Sequence, residues 1–216
     1  MASSLSSSNQ KVAVVTGSSS GIGYETSLIL ARNGYLTYAT MRDLEKSVTI
    51  KSVATKERLP LRVVQLNVTE EGSIMDAVHS IITDVGKIDL LVNNAGYGLN
   101  GAFEELAMEE IKAQYETNLF GVIRVTQAVL PIMRKQKSGI IINISSAAGR
   151  FGYPGESAYV STKFAIEGLS ESMVYELEPF GIRVVLVEPG PIRTIFADGM
   201  VSAKKSFDMP LFPLHV

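Results

Sequence analysis

The stretch SAYVSTKFA, residues 157–165, sets a tyrosine and a lysine four positions apart. Read as helix, Tyr159 and Lys163 share one face, one turn from each other. A phenol ordinarily titrates near pH ~10 and an ammonium near ~10.4. Two unit charges ~4 Å apart interact by about 4 kcal/mol at an effective dielectric of ~20. At ~1.36 kcal/mol per pKa unit, a lysine ammonium would lower the phenol by a few units at most. Such a pair offers a hydroxyl able to exchange a proton near neutral pH. On spacing alone the signal is weak, because Y-x-x-x-K pairs arise by chance on helix surfaces.

A second candidate is the glycine loop TGSSSGIG, residues 16–23. Gly17 permits a tight turn, Gly21 lets backbone approach a pyrophosphate, and Gly23 lets a helix pack closely on a sheet. The free N–H groups and positive dipole end of that helix suit phosphate. Gly17, Ser19, Ser20, Gly21 and Ile22 are therefore candidate cofactor contacts. An acidic residue ending the second strand would favour NAD through the ribose hydroxyls. Here Ala39 and Thr40 stand in that place and Arg42 follows. A guanidinium suits a 2′-phosphate, which points to NADP(H). The competing reading is an exposed arginine near a helix start, with Asp43 beside it.

These residues need elements to hold them. Short β-branched runs at 11–17, 35–40, 61–67, 88–96, 139–145 and 182–190 read as strands, most of them apolar enough to be covered on both faces. Between them lie stretches of helical period, such as 23–34 and 73–86, with Gly34 and Gly86 placed to end them. Strand and helix in alternation predict an α/β fold: a doubly wound parallel sheet with helices on both faces.

Composition limits the alternatives. The chain has 216 residues, 46% hydrophobic and 19% charged, with a formal net charge of -2. That is the balance of one globular domain without a broad pull on nucleic acid or acidic membranes. Without cysteine there is no disulfide, zinc thiolate site or thiol nucleophile, and no metal is expected. The two histidines, His79 and His215, sit in no context that suggests a hydrolase. No apolar run reaches the ~18 residues of a membrane helix. The serine-rich start reads as a disordered leader over 1–10, not a secretory signal, and a cytoplasmic location is the default.

Taken together, TGSSSGIG, NNAG (93–96), Asn118, ISS (144–146), YVSTK (159–163) and EPGPIRT (188–194) resemble the short-chain dehydrogenase/reductase family, in order, over residues 11–194. The hydroxysteroid and retinol dehydrogenase branch is the nearest likeness. The resemblance implies a Rossmann-type sheet and NAD(P)-dependent oxidation of an alcohol or reduction of a carbonyl compound, bulky and apolar in that branch. It makes Tyr159 the general acid/base and Lys163 the group that lowers its pKa and bonds the nicotinamide ribose. Ser146, thirteen positions before the tyrosine, would orient the substrate oxygen, and Asn118 would complete a tetrad through a water-linked proton path. It places Asn67 and Val68 near adenine, and Asn93, Ala95 and Gly96 by the adenosine ribose. Pro189, Gly190, Ile192 and Thr194 fall at the carboxamide. Phe151, Tyr153 and Pro154 are equally readable as pocket lining or as ordinary packing.

Only 26 residues follow Gly190. Six strands are therefore expected, with the family's seventh missing or replaced, and 195–216 is read as a shortened substrate lid. An NADP(H)-binding sensor without turnover is the alternative function. The helices around 109–136 and 157–178 carry enough apolar surface to predict a homodimer through them.

Overall fold

A computed structural model describes residues 10–192, 196 and 200–204. The expected leader, except for Gln10, lies outside them, as do Thr194 and most of the expected lid. Six parallel strands form the main sheet: β1 (Val12–Val15), β2 (Leu36–Met41), β3 (Leu61–Gln65), β4 (Leu90–Asn93), β6 (Gly139–Ile144) and β7 (Ile182–Val187). Their order is β3-β2-β1-β4-β6-β7. Strand order reverses between β1 and β4, which opens a crevice at the carboxyl ends of those strands. A two-residue pairing of β5 (Leu99–Asn100) with β8 (Val201–Ser202) stands apart.

The pleat sorts side chains between two layers. Val12, Val14, Leu91 and Ile141 pack against α3 (Glu71–Val85), α5 (Gly121–Gln136) and α6 (Ser157–Leu177), through Ile81, Val129, Met133 and Met173. Alternate residues Ala13, Val15, Leu90 and Val92 face the other way, toward Leu30 of α1 (Gly21–Arg32). Helix α2 (Val48–Glu57) closes that second layer over Ala39 and Met41 through Ile50.

One expectation needs correction. The helix read over 109–136 is three pieces: α4 (Met108–Tyr115), a π-helical turn at Glu116–Phe120, and α5. Asn118 lies in the π turn, where i→i+5 backbone bonding widens the helix and redirects its side chains. Strand β7 is not covered on both faces. It is the sheet's edge, and Val185 and Val187 are 40% and 39% exposed. Its alternate residue Ile182 is buried, so one face alone meets the core. Among the described residues the sheet has six strands, and Val201–Ser202 pairs with β5 instead of extending it.

Ile141 is fully buried at the centre of the larger layer. Ile141→Ala should cost ~2–5 kcal/mol from lost burial and the cavity left behind. For a domain of this size that lowers Tm by roughly 5–15 °C, read by thermal denaturation.

Candidate active site

The glycine loop is pinned from three sides. Thr16 Oγ1 accepts from the amides of Asn94 at 2.9 Å and Ala95 at 3.0 Å. Asn94 Nδ2 donates to the carbonyls of Thr16 at 2.9 Å and Gly17 at 3.1 Å. The Ser18 hydroxyl donates to Val15 O at 2.9 Å. A side chain at Gly23 would collide with Gly17 O and Asn94 Nδ2, at 2.4 and 2.3 Å from its Cβ. Gly21 has φ +57° and open space where a Cβ would stand. The first turn of α1 contains no acidic residue. This cradle fits a dinucleotide: bare backbone, a helix N-terminus and no negative charge where phosphates would lie.

The cradle forms one end of a cleft of about 680 Å³, within the range of small-molecule sites. Ser19, Ser20, Gly21, Ile22, Asn67, Val68, Ala95, Gly96, Pro189, Gly190 and Ile192 all line it, with Gly17. So do Arg42 and Lys46, in the turn after β2. Asp43 does not neutralise Arg42 there; its carboxylate accepts from the Glu45 amide at 2.9 Å and caps a short 3₁₀ turn. Lys46 is a second cation that sequence reasoning missed, since only the tertiary turn aims it at the cleft.

Asn93 does not line the cleft. It is buried, and its Nδ2 donates to Asn143 Oδ1 and Thr126 Oγ1, each at 2.9 Å. The neighbouring Asn94 lines the cleft instead. Strand alternation explains the exchange: Asn93 shares a face with Leu91, toward α5, and Asn94 faces oppositely. The period-2 signal was in the sequence, but it does not say which face belongs to the helix.

At the other end, Ser146, Tyr159 and Lys163 meet. Ser146 ends the β6 segment, and its Oγ accepts from the Ala148 amide at 3.1 Å. The Tyr159 hydroxyl and Ser146 line the same end of the cleft, near enough for the serine to favour the phenol's anion. Lys163, one turn along α6, donates from Nζ to Ile144 O at 2.8 Å and stands 5.6 Å from the centre of the Tyr159 ring. Asn118 holds the wall behind them. Its Nδ2 donates to Tyr97 O at 2.9 Å and Thr162 Oγ1 at 3.2 Å, while its Oδ1 accepts from Tyr97 N at 3.0 Å. Tyr97 and Thr117 reach the cleft; the Asn118 amide is spent on Tyr97 and Thr162. Tyr153 lines the cleft, whereas Phe151 is exposed and packs its ring on Tyr153 at 5.2 Å.

The electrostatics differ from the simple pair expected. Burial pushes the Tyr159 phenol up from its ordinary value; the Ser146 hydroxyl pulls it down, and the Glu156 carboxylate pushes it up. Burial pushes Lys163 down to about 8, opposed by Glu167 one turn below. Desolvation thus outweighs pairing for both groups. Glu167 is itself buried, and its nearest ionic partner is Arg150, at 3.5 Å. Arg150 also grips Glu188 through two bonds, at 3.0 and 2.7 Å. The chain Lys163, Glu167, Arg150, Glu188 therefore runs from the site to the Pro189–Gly190 loop.

Part of the expected lid is described. Phe196 stacks on Tyr159 with ring centres 5.6 Å apart, and Met200 packs where Gly98 has no side chain. Both line the cleft. Residues 201–203 then pair with β5, and the Lys204 amide donates to Glu110 Oε1 at 3.1 Å.

A family model, short chain dehydrogenase, matches residues 11–205. Among curated proteins, the chain is 44% identical over 188 residues to an uncharacterized oxidoreductase YusZ of Bacillus subtilis, covering 86% of this chain and 66% of that protein. It is 40% identical over 188 residues to 3-ketodihydrosphingosine reductase of Bacteroides thetaiotaomicron (87% and 66%). It is 37% identical over 204 residues to retinol dehydrogenase 8 of Bos taurus (93% and 65%). The chain thus spans about two thirds of the length of these relatives. A solved short-chain dehydrogenase from Streptomyces avermitilis superposes with a TM-score of 0.84 at 37% identity, over 91% of this chain and 72% of that one. An alcohol dehydrogenase of Thermococcus sibiricus complexed with 5-hydroxy-NADP gives 0.81 at 30% identity (89% and 81%). A short-chain dehydrogenase/reductase of Burkholderia phymatum in complex with NAD gives 0.84 at 26% (88% and 69%).

Because Lys163 sits near 8 only with Glu167 charged beside it, removing that charge lowers it further. The Lys163 ε-carbon resonance should titrate near pH 8 by NMR, and Glu167→Gln should move its midpoint down. A midpoint near the ordinary ~10.4 would contradict the burial described.

Proposed function

The chain belongs to the short chain dehydrogenase family, and on that premise we propose that it is an NADP(H)-dependent oxidoreductase acting on a bulky, apolar alcohol or ketone such as a steroid or retinoid. The observation that carries this is the meeting of Ser146, Tyr159 and Lys163 in a dinucleotide-shaped cleft at the sheet's switch point. A bound nicotinamide supplies or accepts the hydride. In reduction, Ser146 holds the carbonyl oxygen with its hydroxyl, and Tyr159 gives that oxygen its proton. Lys163, fixed to Ile144 O, bears positive charge beside the phenol as it becomes an anion. Asn118 keeps Tyr97 in the wall. Phe196, packed on Tyr159, and Met200 line the cleft with apolar surface, which suits a substrate of that character.

NADP(H) is favoured over NAD(H) by Arg42 and Lys46, two cations at the adenosine end, and by Ala39 and Thr40 where an acid would repel a 2′-phosphate. We place the reaction in the cytoplasm on the strength of the cysteine-free sequence; no helix among the described residues is long and apolar enough to cross a membrane. We further propose a homodimer through α5 and α6, for which Phe164 and Tyr175 on α6 offer apolar surface, 47% and 79% exposed.

Tyr159→Phe should reduce turnover at least about a hundredfold and leave NADPH affinity nearly unchanged. Equal loss of both would make the tyrosine structural. Arg42→Ala should weaken NADPH roughly tenfold or more, as expected for a lost charged hydrogen bond, with little effect on NADH, in fluorescence titrations. Light scattering should return about twice the 23.4 kDa chain mass; a monomer at micromolar concentration would refute the dimer.

A further inference from the structure

Around Tyr159 the cleft wall is mostly apolar or aromatic: Tyr97, Tyr153, Phe196, Met200 and Ala148. Among the described residues one carboxylate enters this wall, from Glu156, three residues before Tyr159 at the start of α6. The other charged groups lining the cleft differ from it. Asp43 is spent on a backbone cap, Lys163 is bonded to Ile144 O, and Arg42 and Lys46 lie at the adenosine end. The Glu156 side chain caps no amide of its own helix. It makes no hydrogen bond or ion pair with any described residue, although it is half-buried. Burial pushes its carboxyl up from the usual range, and its charge pushes the Tyr159 phenol up. It is therefore within electrostatic reach of the reacting hydroxyl.

An unpartnered acid there works against the chemistry. Its negative charge opposes anion formation on Tyr159 and on the carbonyl oxygen that receives hydride. It also bears the cost of partial desolvation without a hydrogen bond in return. A neutral donor would satisfy its oxygens and leave the charge. A cation would satisfy the oxygens and cancel the charge. We propose that Glu156 is a specificity-determining residue that receives an ammonium group carried by the substrate close to its reacting carbon, so that among bulky or long-chain apolar ketones and alcohols the protein favours amino ketones and the matching amino alcohols. This rests on the reading of the cleft as a carbonyl-reducing site. The ammonium pairs with Glu156, the carbonyl oxygen lies between Ser146 and Tyr159, and the apolar remainder lies against Phe196 and Met200. Hydride from NADPH goes to the carbonyl carbon and the proton from Tyr159 to its oxygen, leaving an amino alcohol and NADP⁺.

The test compares a long-chain α-amino ketone with its N-acetyl derivative and with the ketone lacking nitrogen, following NADPH consumption at pH 7 by the full chain. The wild type should favour the amino ketone over either neutral analogue by at least about tenfold in kcat/KM. Glu156→Gln should lower kcat/KM for the amino ketone about tenfold or more, raise it for the nitrogen-free ketone, whose reaction the carboxylate charge opposes, and so erase the preference. Glu156→Asp should keep part of it. Equal rates on all three substrates, or equal loss on all three in Glu156→Gln, would overturn the proposal. If the wild type turned over none of them, the carbonyl-reducing reading would fail. Calorimetric binding of the amino alcohol and its N-acetyl form in the presence of NADP⁺ would then decide on Glu156. Tighter binding of the amine, lost in Glu156→Gln, supports it, and indifference overturns it.

Discussion

The ammonium of Lys163 donates to the carbonyl of Ile144, and the site is arranged around that bond. It ties α6 to the carboxyl end of β6, so the helix face carrying Tyr159 cannot rotate away from the crevice. It also fixes where the positive charge sits, beside the phenol instead of in solvent. The bond requires burial, and burial works against the charge. Glu167 offsets part of that loss from one turn below. Arg150 in turn accompanies the buried Glu167, and is itself held by Glu188 at the entry to the Pro189–Gly190 loop. Charges placed to serve chemistry are thus supported by a second layer that never reaches the cleft.

A seam of uncharged polar groups does comparable work under the strand ends. Asn93, Asn143, Thr126 and Ser170 hydrogen-bond in series beneath the crevice. Thr16 and Asn94 join the first loop to the end of β4. Strand ends leave backbone groups without ladder partners, and buried polar groups are costly unless paired. Here the side chains of Thr16 and Asn94 take those places, while the asparagine seam pairs side chain with side chain. The result is a rigid floor for loops whose glycines must stay bare, and it links the pyrophosphate cradle to the tyrosine end of the same cleft.

The site was legible wherever chemistry depends on near neighbours in the chain. The Y-x-x-x-K spacing places Tyr159 and Lys163 on one face of α6 because a helix repeats every 3.6 residues. The turn at 16–23 is legible because Gly17 and Gly21 need positive φ. Legibility failed where depth or orientation mattered. Asn93 and Asn94 are chemically identical, and only the placement of α5 sends the first into the core and the second to the cleft. A simple ion-pair estimate lowers the tyrosine; its surroundings raise it, because desolvation grows with burial that no local pattern reports. Asn118 read as a residue of one long helix, and it lies in a π turn that bends its amide toward Tyr97.

What the amino-acid sequence determined by itself is the succession of parallel strands and helices, the bare-backbone turn after β1, and the helical spacing of tyrosine and lysine. Each follows from periodicity or from the conformational range of a few adjacent residues. The tertiary structure alone decided which polar groups face the cleft, in which direction burial shifts Lys163 and Tyr159, and that Phe196 and Met200 return to line the cleft, Phe196 against the tyrosine. It also decided that Glu156 lines the cleft with no partner among the described residues and that β7 keeps one face open. Those outcomes depend on contacts between residues distant in the chain, whose energies are set by depth from water and by neighbours that local spacing does not name.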